Sequence, residues 1–284
     1  MTLVFILIIT FIIIELCIFL IIKKNASLKW IVFNKKIKFE RKKFRSFIKN
    51  SYDFKLGWDY KFKSKKKKFI TKKGFRKSDY SNRNLNTIAF GDSYTYCREL
   101  EYNKTWCEII SKKKNIFVAN YGVGNYGLDQ AFLKFSKLKT NNKNKIVIFG
   151  FVPETICRIQ SSWKNYIEFG NVHGFKPCVK LENNNLKFNQ NPLSKNDGFA
   201  NLNKIIDKIN KTDRFYKEKF LKYNFSFHYL FSFIKNLSFN FEIFTTILFS
   251  KMIKGSSLEN KVFPIVMKHN IKFSHNLYND KVSQ

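Results

Sequence analysis

The segment TIAFGDSYTYCREL, residues 87–100, contains a short apolar, strand-like run that ends abruptly at Gly91, Asp92 and Ser93. The interpretation of this ending determines which fold the sequence predicts. A turn is one explanation, since glycine and aspartate are common where a chain changes direction. The other explanation is that the segment presents Ser93 at the tip of a strand, where its hydroxyl could attack a substrate. The residues around the segment decide between the two.

Strand-like and helix-like patterns alternate after residue 84. Thr105 and Glu108 have the spacing of a capping box, and residues 145–152 are apolar throughout, as expected of a strand buried on both faces. The order is strand 85–90, helix 105–115, strand 115–122, a helix after Gly127 and strand 145–152. This order predicts an α/β fold in which helices cover a parallel sheet.

All three predicted strands end in segments that carry polar or glycine residues. These segments are Gly91-Asp92-Ser93, residues 120–127 and residues 150–154. Ligands of parallel α/β sheets bind beyond the carboxyl ends of the strands. The agreement among the three ends favours a functional Ser93 over a simple turn.

These segments resemble the SGNH, or GDSL-type, hydrolase family. FGDSYTY (90–96) is similar to the first block of that family, and NYGVGNYGLDQA (120–131) is similar to the second. IFGFVPETICRI (148–159) lies where the third block belongs, so the resemblance covers about residues 84–160. It implies a three-layer sandwich with a parallel sheet, of the flavodoxin-like kind.

The resemblance also implies roles for individual residues. Ser93 would be the nucleophile, and the backbone N–H groups of Gly124 and Asn125 would stabilise the oxyanion. The residues that support the motif would be Gly91, Asp92, Gly122 and Gly150. The alternative for Ser93 is a helix N-cap without chemistry.

Two features depart from the family pattern. The third block lacks the family's asparagine, and Asn125, Glu154 and Arg158 are the nearby polar candidates to replace it. The closing Asp-x-x-His block is also missing, and a serine needs such a base. None of the four histidines has an aspartate three residues before it: His173, His228, His269 and His275.

Among these histidines His275 is the candidate general base. Three explanations remain open for the missing block: truncation or a frameshift removed it, another histidine replaces it, or the protein no longer hydrolyses a substrate. The predicted fold is accordingly incomplete at the C-terminus, with no evident final strand and helix.

Residues 1–22 form an apolar segment long enough to cross a bilayer, and Lys23 and Lys24 follow it. A membrane helix is predicted rather than a cleaved signal peptide, because the basic start and the small-residue cleavage site are missing. Glu15 within it is either a tolerated charge or a polar contact to a partner helix. The positive-inside rule predicts a single-pass protein with a cytoplasmic body, and an extracytoplasmic body is the alternative.

The net charge of +33 is concentrated after this helix, where residues 23–77 hold 22 Lys/Arg and three acids. Residues 23–82 are therefore predicted to be a basic juxtamembrane segment. It is either a solvated linker or a segment that binds anionic lipid headgroups. Nucleic-acid binding is not expected, because no nucleic-acid-binding motif accompanies the charge.

Residues 83–284 are assigned to the α/β domain, with core strands in 85–152 and an insertion and aromatic helical region in 160–284. A hairpin is expected around residues 183–185, and residues 223–253 should form a helix on the sheet or at the membrane interface. The five cysteines are too few and too scattered for a disulfide framework or a zinc site, and no cofactor or metal is predicted.

The function expected from this resemblance is a membrane-anchored serine esterase or acyl-transfer enzyme. Its substrates would be O-acyl groups of cell-envelope carbohydrate, or another small ester. The alternative is a catalytically inactive or truncated relative that serves as a membrane-tethered binding or assembly module. A third possibility is a polybasic lipid-surface protein in which the fold is only a scaffold.

Overall fold

The computed structural model describes residues 2–28, 30–33, 37–62, 69–138, 146–194, 197–250, 252 and 257–278. The helices are α1 Thr2–Lys24, α2 Arg41–Asn50, α3 Ser93–Tyr96, α4 Trp106–Lys114, α5 Leu128–Lys137, α6 Lys164–Ile167, α7 Leu202–Thr212, α8 Leu221–Tyr223, α9 Tyr229–Ile234, α10 Leu237–Leu248 and α11 Leu258–Tyr278. The strands are β1 Val32–Phe33, β2 Tyr52–Asp53, β3 Gly57–Trp58, β4 Leu85–Gly91, β5 Phe117–Asn120, β6 Ile146–Gly150, β7 Cys178–Glu182, β8 Asn185–Asn189 and β9 Asn224–Phe225. Single turns of 3-10 helix span Tyr102–Lys104 and Phe199–Asn201, a longer one spans Pro153–Gln160, and a π-helical turn spans Tyr216–Phe220.

Three parallel strands form the central sheet in the order β5-β4-β6, so the strand that leads to Ser93 lies in the middle. Ile88 and Phe90 of β4 pack with Ala131 of α5. Ala89, which points to the opposite face, packs with Cys107 of α4. Helices therefore cover both faces, and the predicted α/β fold with a parallel sheet is confirmed at this level.

Strand β6 differs from its prediction as a strand buried on both faces. It pairs with β4 on one side, and within the described ranges no strand pairs with it on the other. Ile146 at its start is 59% exposed, and the other four residues are only partly buried. An apolar run indicates that a strand packs against something, but it does not indicate how many neighbours the strand has.

The described part of residues 23–82 is not a solvated linker. Phe44 of α2 lies in the large core cluster that also contains Trp163. Leu56 and Trp58 pack with Tyr126, whose hydroxyl donates to the Trp58 carbonyl at 2.6 Å. These aromatic residues between the lysines are thus buried in the folded protein, and the run 63–68 lies outside the described residues.

The insertion forms the expected hairpin. Strands β7 and β8 are antiparallel, and Asn183 and Asn184 turn the chain between them with φ of 51° and 63°. Asparagine tolerates this left-handed region better than most residues do, because its side chain can bond to the nearby backbone.

Helix α1 is the one helix of the described chain that is long and apolar enough to cross a membrane. Its C-terminal part packs on the protein through Ile18 and Ile22, which are buried against α10 and α11. Glu15 accepts hydrogen bonds from the N–H groups of Tyr229 and Leu230 at the start of α9, at 2.7 and 2.9 Å. Glu15 therefore makes a polar contact to another helix, and that helix belongs to the same chain.

Candidate functional site

Ser93 is the first residue of α3, directly beyond the carboxyl end of the central strand. The Asp92 carboxylate caps this helix by accepting the Tyr94 N–H at 2.9 Å. Ser93 is partly exposed, and its hydroxyl has no hydrogen-bond partner among the described residues. The turn therefore holds the backbone in place through Asp92 and leaves the serine oxygen available.

The motif glycines are explained by close approach of backbone segments. A Cβ at Gly91 would overlap the Thr95 hydroxyl and the Gly150 carbonyl oxygen. A Cβ at Gly122 would lie 2.5 Å from the Tyr96 backbone nitrogen, closer than real Cβ atoms come to other atoms. Glycine at these positions lets the ends of β4, β5 and β6 converge around α3.

Arg76, from the basic segment, supports the other end of α3. Its guanidinium donates to the carbonyl of Cys97 at 2.8 Å and also to those of Tyr96 and Leu100. The last carbonyls of a helix lack partners within the helix, so a buried cation satisfies them well.

Ser93 lines a cleft of about 420 Å³. Its walls come from four parts of the chain besides the turn itself: Trp30 after α1, Asn125 after β5, Arg158 and Glu168 after β6, and Phe263 and Met267 of α11. Trp30, Phe263 and Met267 make one part of the cleft apolar, whereas Glu259 and Asn260 of α11 and the residues that follow the sheet strands make the rest polar.

The two predicted oxyanion donors differ in their present partners. The Gly124 N–H donates to the Tyr60 hydroxyl at 2.8 Å, so it would have to give up this bond to reach a substrate. Burial raises the pKa of Tyr60 to about 12, so its hydroxyl stays protonated at neutral pH. Asn125 has a left-handed backbone with φ of 72° and lines the cleft, and its N–H has no partner within the described part of the chain.

A buried ionic network lies beneath the cleft. The Arg158 guanidinium is 2.7 Å from Glu168 Oε1 and 3.8 Å from Asp92 Oδ2, and it donates to the Tyr126 carbonyl at 2.8 Å. Lys164 Nζ lies 2.7 Å from the same Glu168 oxygen. Arg158 therefore links the Ser93 turn to the loop after β5 and to the segment after β6.

The charges of this network shift each other's pKa values. Burial alone would raise the pKa of Glu168, but the Lys164 and Arg158 cations hold it well below its usual range. Burial and the nearby Arg158 charge lower the pKa of Lys164 to about 7, although Glu168 opposes this shift. Glu168 is thus held as an anion, and the pKa of Lys164 lies below that of an ordinary lysine.

A second cavity of about 370 Å³ adjoins the cleft, because both are lined by Arg98, Asn125, Gly170 and Asn171. Lys164 and His173 line its far part. The two cavities together form a polar groove that starts at Ser93 and is bordered by charged side chains of both signs.

None of the three histidines with described side chains lines the Ser93 cleft. His173 stacks on Phe47 with ring centroids 5.5 Å apart, and His228 is exposed before α9. His269 lies 3.5 Å from Glu242. His275 belongs to the backbone of α11, eight residues and about 12 Å along the axis beyond Met267; its side chain lies outside the described part.

The structure brings Ser93 together with the glycines named from the sequence, and most of the ionic residues around them were not predicted. The sequence does not show that Arg158, Glu168 and Lys164 form a network, because the pairing of these side chains depends on how the chain folds. The one available signal was the position of Arg158 just after the third strand. Within the described ranges, no group of His, Cys, Asp and Glu side chains could hold a metal ion.

Comparisons of the chain with protein-family models, with curated proteins and with solved structures found no match.

Proposed function

We propose that the chain is a membrane-anchored SGNH-like serine esterase or acyl-transfer enzyme. The observation that carries the proposal is the partly exposed Ser93 hydroxyl, which lacks a partner within the described residues and opens into a cleft at the carboxyl end of the central strand. The glycines at the ends of three parallel strands support it, because they bring the backbone close to this serine.

In the proposed reaction, Ser93 Oγ attacks an ester carbonyl and the carbonyl oxygen becomes negative. The backbone N–H groups of Ser93 and Asn125 stabilise that charge. The alcohol leaves, the acyl group remains on Ser93, and water or a sugar hydroxyl then takes it. A general base accepts the serine proton in the first step, and His275 remains the candidate for this role.

Carbohydrate esters of the cell envelope are the proposed substrates, and this choice rests on the family resemblance. The groove offers the side chains of Arg98, Asn125 and Asn171 for hydrogen bonds to a polyhydroxylated or anionic ligand. Its Trp30 and Phe263 wall suits an apolar acyl group. We further propose the three-layer SGNH sandwich, a single-pass anchor in α1, and a cytoplasmic body that contacts anionic lipid.

The test uses the full-length chain in detergent, a fluorophosphonate probe and a short-chain nitrophenyl ester. We expect the probe to label Ser93, and we expect Ser93→Ala to abolish both labelling and hydrolysis. Ser136→Ala is the matched control, because Ser136 is exposed on α5 away from the cleft. Absence of labelling in a folded wild-type chain would contradict the proposal.

A second candidate function is a membrane-tethered binding or assembly module of the same fold. It is favoured by the observation that none of the histidines with described side chains lies at the Ser93 cleft. In that case Ser93→Ala should leave ligand binding unchanged, and the folded wild type should not react with the fluorophosphonate.

A further inference from the structure

We propose that α9 and α10 are immersed in the lipid beside α1, as a second membrane element that does not cross the bilayer. The partner surface is the hydrocarbon edge of a phospholipid bilayer. The inference concerns the aromatic region after residue 223 and does not depend on any reaction at Ser93.

The depth of α9 follows from its bond to Glu15. Glu15 lies eight residues before Lys23, which marks the basic end of α1, and at 1.5 Å per residue this separation is about 12 Å. Its carboxylate binds the first N–H groups of α9. If α1 crosses a bilayer with Lys23 at the headgroups, the start of α9 lies well inside a hydrocarbon core about 30 Å thick.

The outward side of the two helices is apolar. Phe231 of α9 and Phe241 and Leu248 of α10 are each 60% exposed. The other residues of this surface are Phe227, Ile234, Leu237, Phe249 and Met252, and all are more than half exposed. Between residues 224 and 250 the charged side chains are Lys235 and Glu242 alone, and Glu242 pairs with Lys268 of α11 at 3.0 Å.

This surface continues the exposed surface of α1. The Phe19 ring of α1 lies 5.4 Å from the Tyr229 ring of α9, and Leu16 and Leu20 are exposed on the same part of α1. Soluble monomers rarely expose a contiguous apolar patch of this kind. The lipid that covers α1 is therefore positioned to cover α9 and α10 as well.

The ends of α9 meet the main requirement for burial in lipid, which is that backbone groups are satisfied within the protein. Glu15 accepts the N–H groups at its start. Asn240 Nδ2 donates to the Phe233 carbonyl at 2.8 Å near its end, and the Ser232 hydroxyl bonds to both backbone groups of Ser226. With 12 residues, α10 is about 18 Å long, too short to span the core.

The test measures the depth of labelled positions in the full-length chain. Cys17→Ser and Cys97→Ser remove the two cysteines that are not buried. A nitrobenzoxadiazole dye is then placed on Phe231→Cys, Leu248→Cys or Met252→Cys, and on Leu186→Cys as the control. Leu186 is 64% exposed on β8, outside the patch.

In phosphatidylcholine vesicles with bromines on the acyl chains, we expect strong quenching of the dye at 231, 248 and 252 and none at 186. Aqueous iodide should quench the dye strongly at 186 and weakly at 231, 248 and 252. If the three patch positions behave like 186, the proposal is wrong. Energy transfer between labelled copies, without quenching by bromolipid, would also overturn it, because it would mean that a second copy of the chain covers the patch.

Discussion

Ser93 is held in place by contacts within its own turn and by contacts from other parts of the chain. Only the contacts within the turn can be predicted from the sequence. Gly91 and Asp92 act on the residues next to them in the turn, so their pattern predicts where the serine lies. Arg158 acts through Glu168, which lies ten residues further along the chain, and through Asp92, which follows a different strand. Such partners depend on packing, and a basic residue after a strand has many possible partners before the chain folds.

At this scale we predict that Gly122→Ala disturbs the serine turn. The new Cβ would lie 2.5 Å from the Tyr96 nitrogen, so α3 must shift. Overpacking of this kind costs about 1–3 kcal/mol of unfolding free energy. Denaturant unfolding should record that loss, and fluorophosphonate labelling of Ser93 should slow.

Gly198→Ala is the matched control for this substitution. Nothing lies within 4 Å of a Cβ at Gly198, and its φ of −90° suits alanine. We expect a change of less than about 0.5 kcal/mol there. Equal stability of Gly122→Ala and Gly198→Ala would mean that the loop after β5 does not pack closely against α3 at Gly122.

Helices and strands with strong local signals were predictable, and their neighbours were not. Thr105 caps α4 through its hydroxyl as expected, but the Glu108 carboxylate accepts the N–H of Asp79 at 2.8 Å. The apolar run of β6 correctly predicts a strand. It does not predict that one side of this strand is exposed, because that depends on how many strands pair with it in the folded sheet. Sheet size is a property of the assembled fold rather than of one segment.

The exposed flank of β6 leads to a prediction about solubility. An apolar edge strand is a template for pairing between chains, and a lysine on it opposes such pairing. Ile146→Lys should reduce light scattering of the detergent-solubilised protein on heating and should change the unfolding free energy by less than about 0.5 kcal/mol.

Ile148→Lys serves for comparison, because Ile148 packs with Ala89 and Val118 under α4. A charge there is partly buried and should destabilise the fold clearly. If Ile146→Lys were equally damaging, β6 would have a further neighbour on its exposed side.

At the scale of the whole molecule, the basic segment and helix α1 are parts of the fold. Lysine content predicts a tether, but the aromatic residues between the lysines, such as Phe44, Trp58 and Phe75, are buried in three different clusters. Composition alone did not reveal this, because a lysine-rich surface and a lysine-rich linker look alike in sequence. The regular interleaving of aromatics was the signal that could have distinguished them.

We therefore predict different results for two deletions in α1. A chain lacking residues 2–14 keeps Glu15, Ile18 and Ile22 and should elute as a folded species in mild detergent on size exclusion. A chain lacking residues 2–24 loses the side chains of Ile18 and Ile22 from their cluster. Each lost large apolar side chain costs about 2–5 kcal/mol, so this chain should aggregate.

Equal behaviour of the two truncated chains would show that the end of α1 does not contribute to folding. Thermal unfolding of the shorter deletion, compared with the full chain, provides the internal control, since it removes only residues with no buried side chain.

Trp30 forms part of the Ser93 cleft only six residues after the end of α1. Six residues reach at most about 20 Å, so the groove can never be far from the surface that holds the anchor. For a ligand that is itself held in that surface, such a site is reached by lateral diffusion in two dimensions. Its occupancy would then follow the number of ligand molecules per unit area, and dilution of the surrounding solution would leave it unchanged.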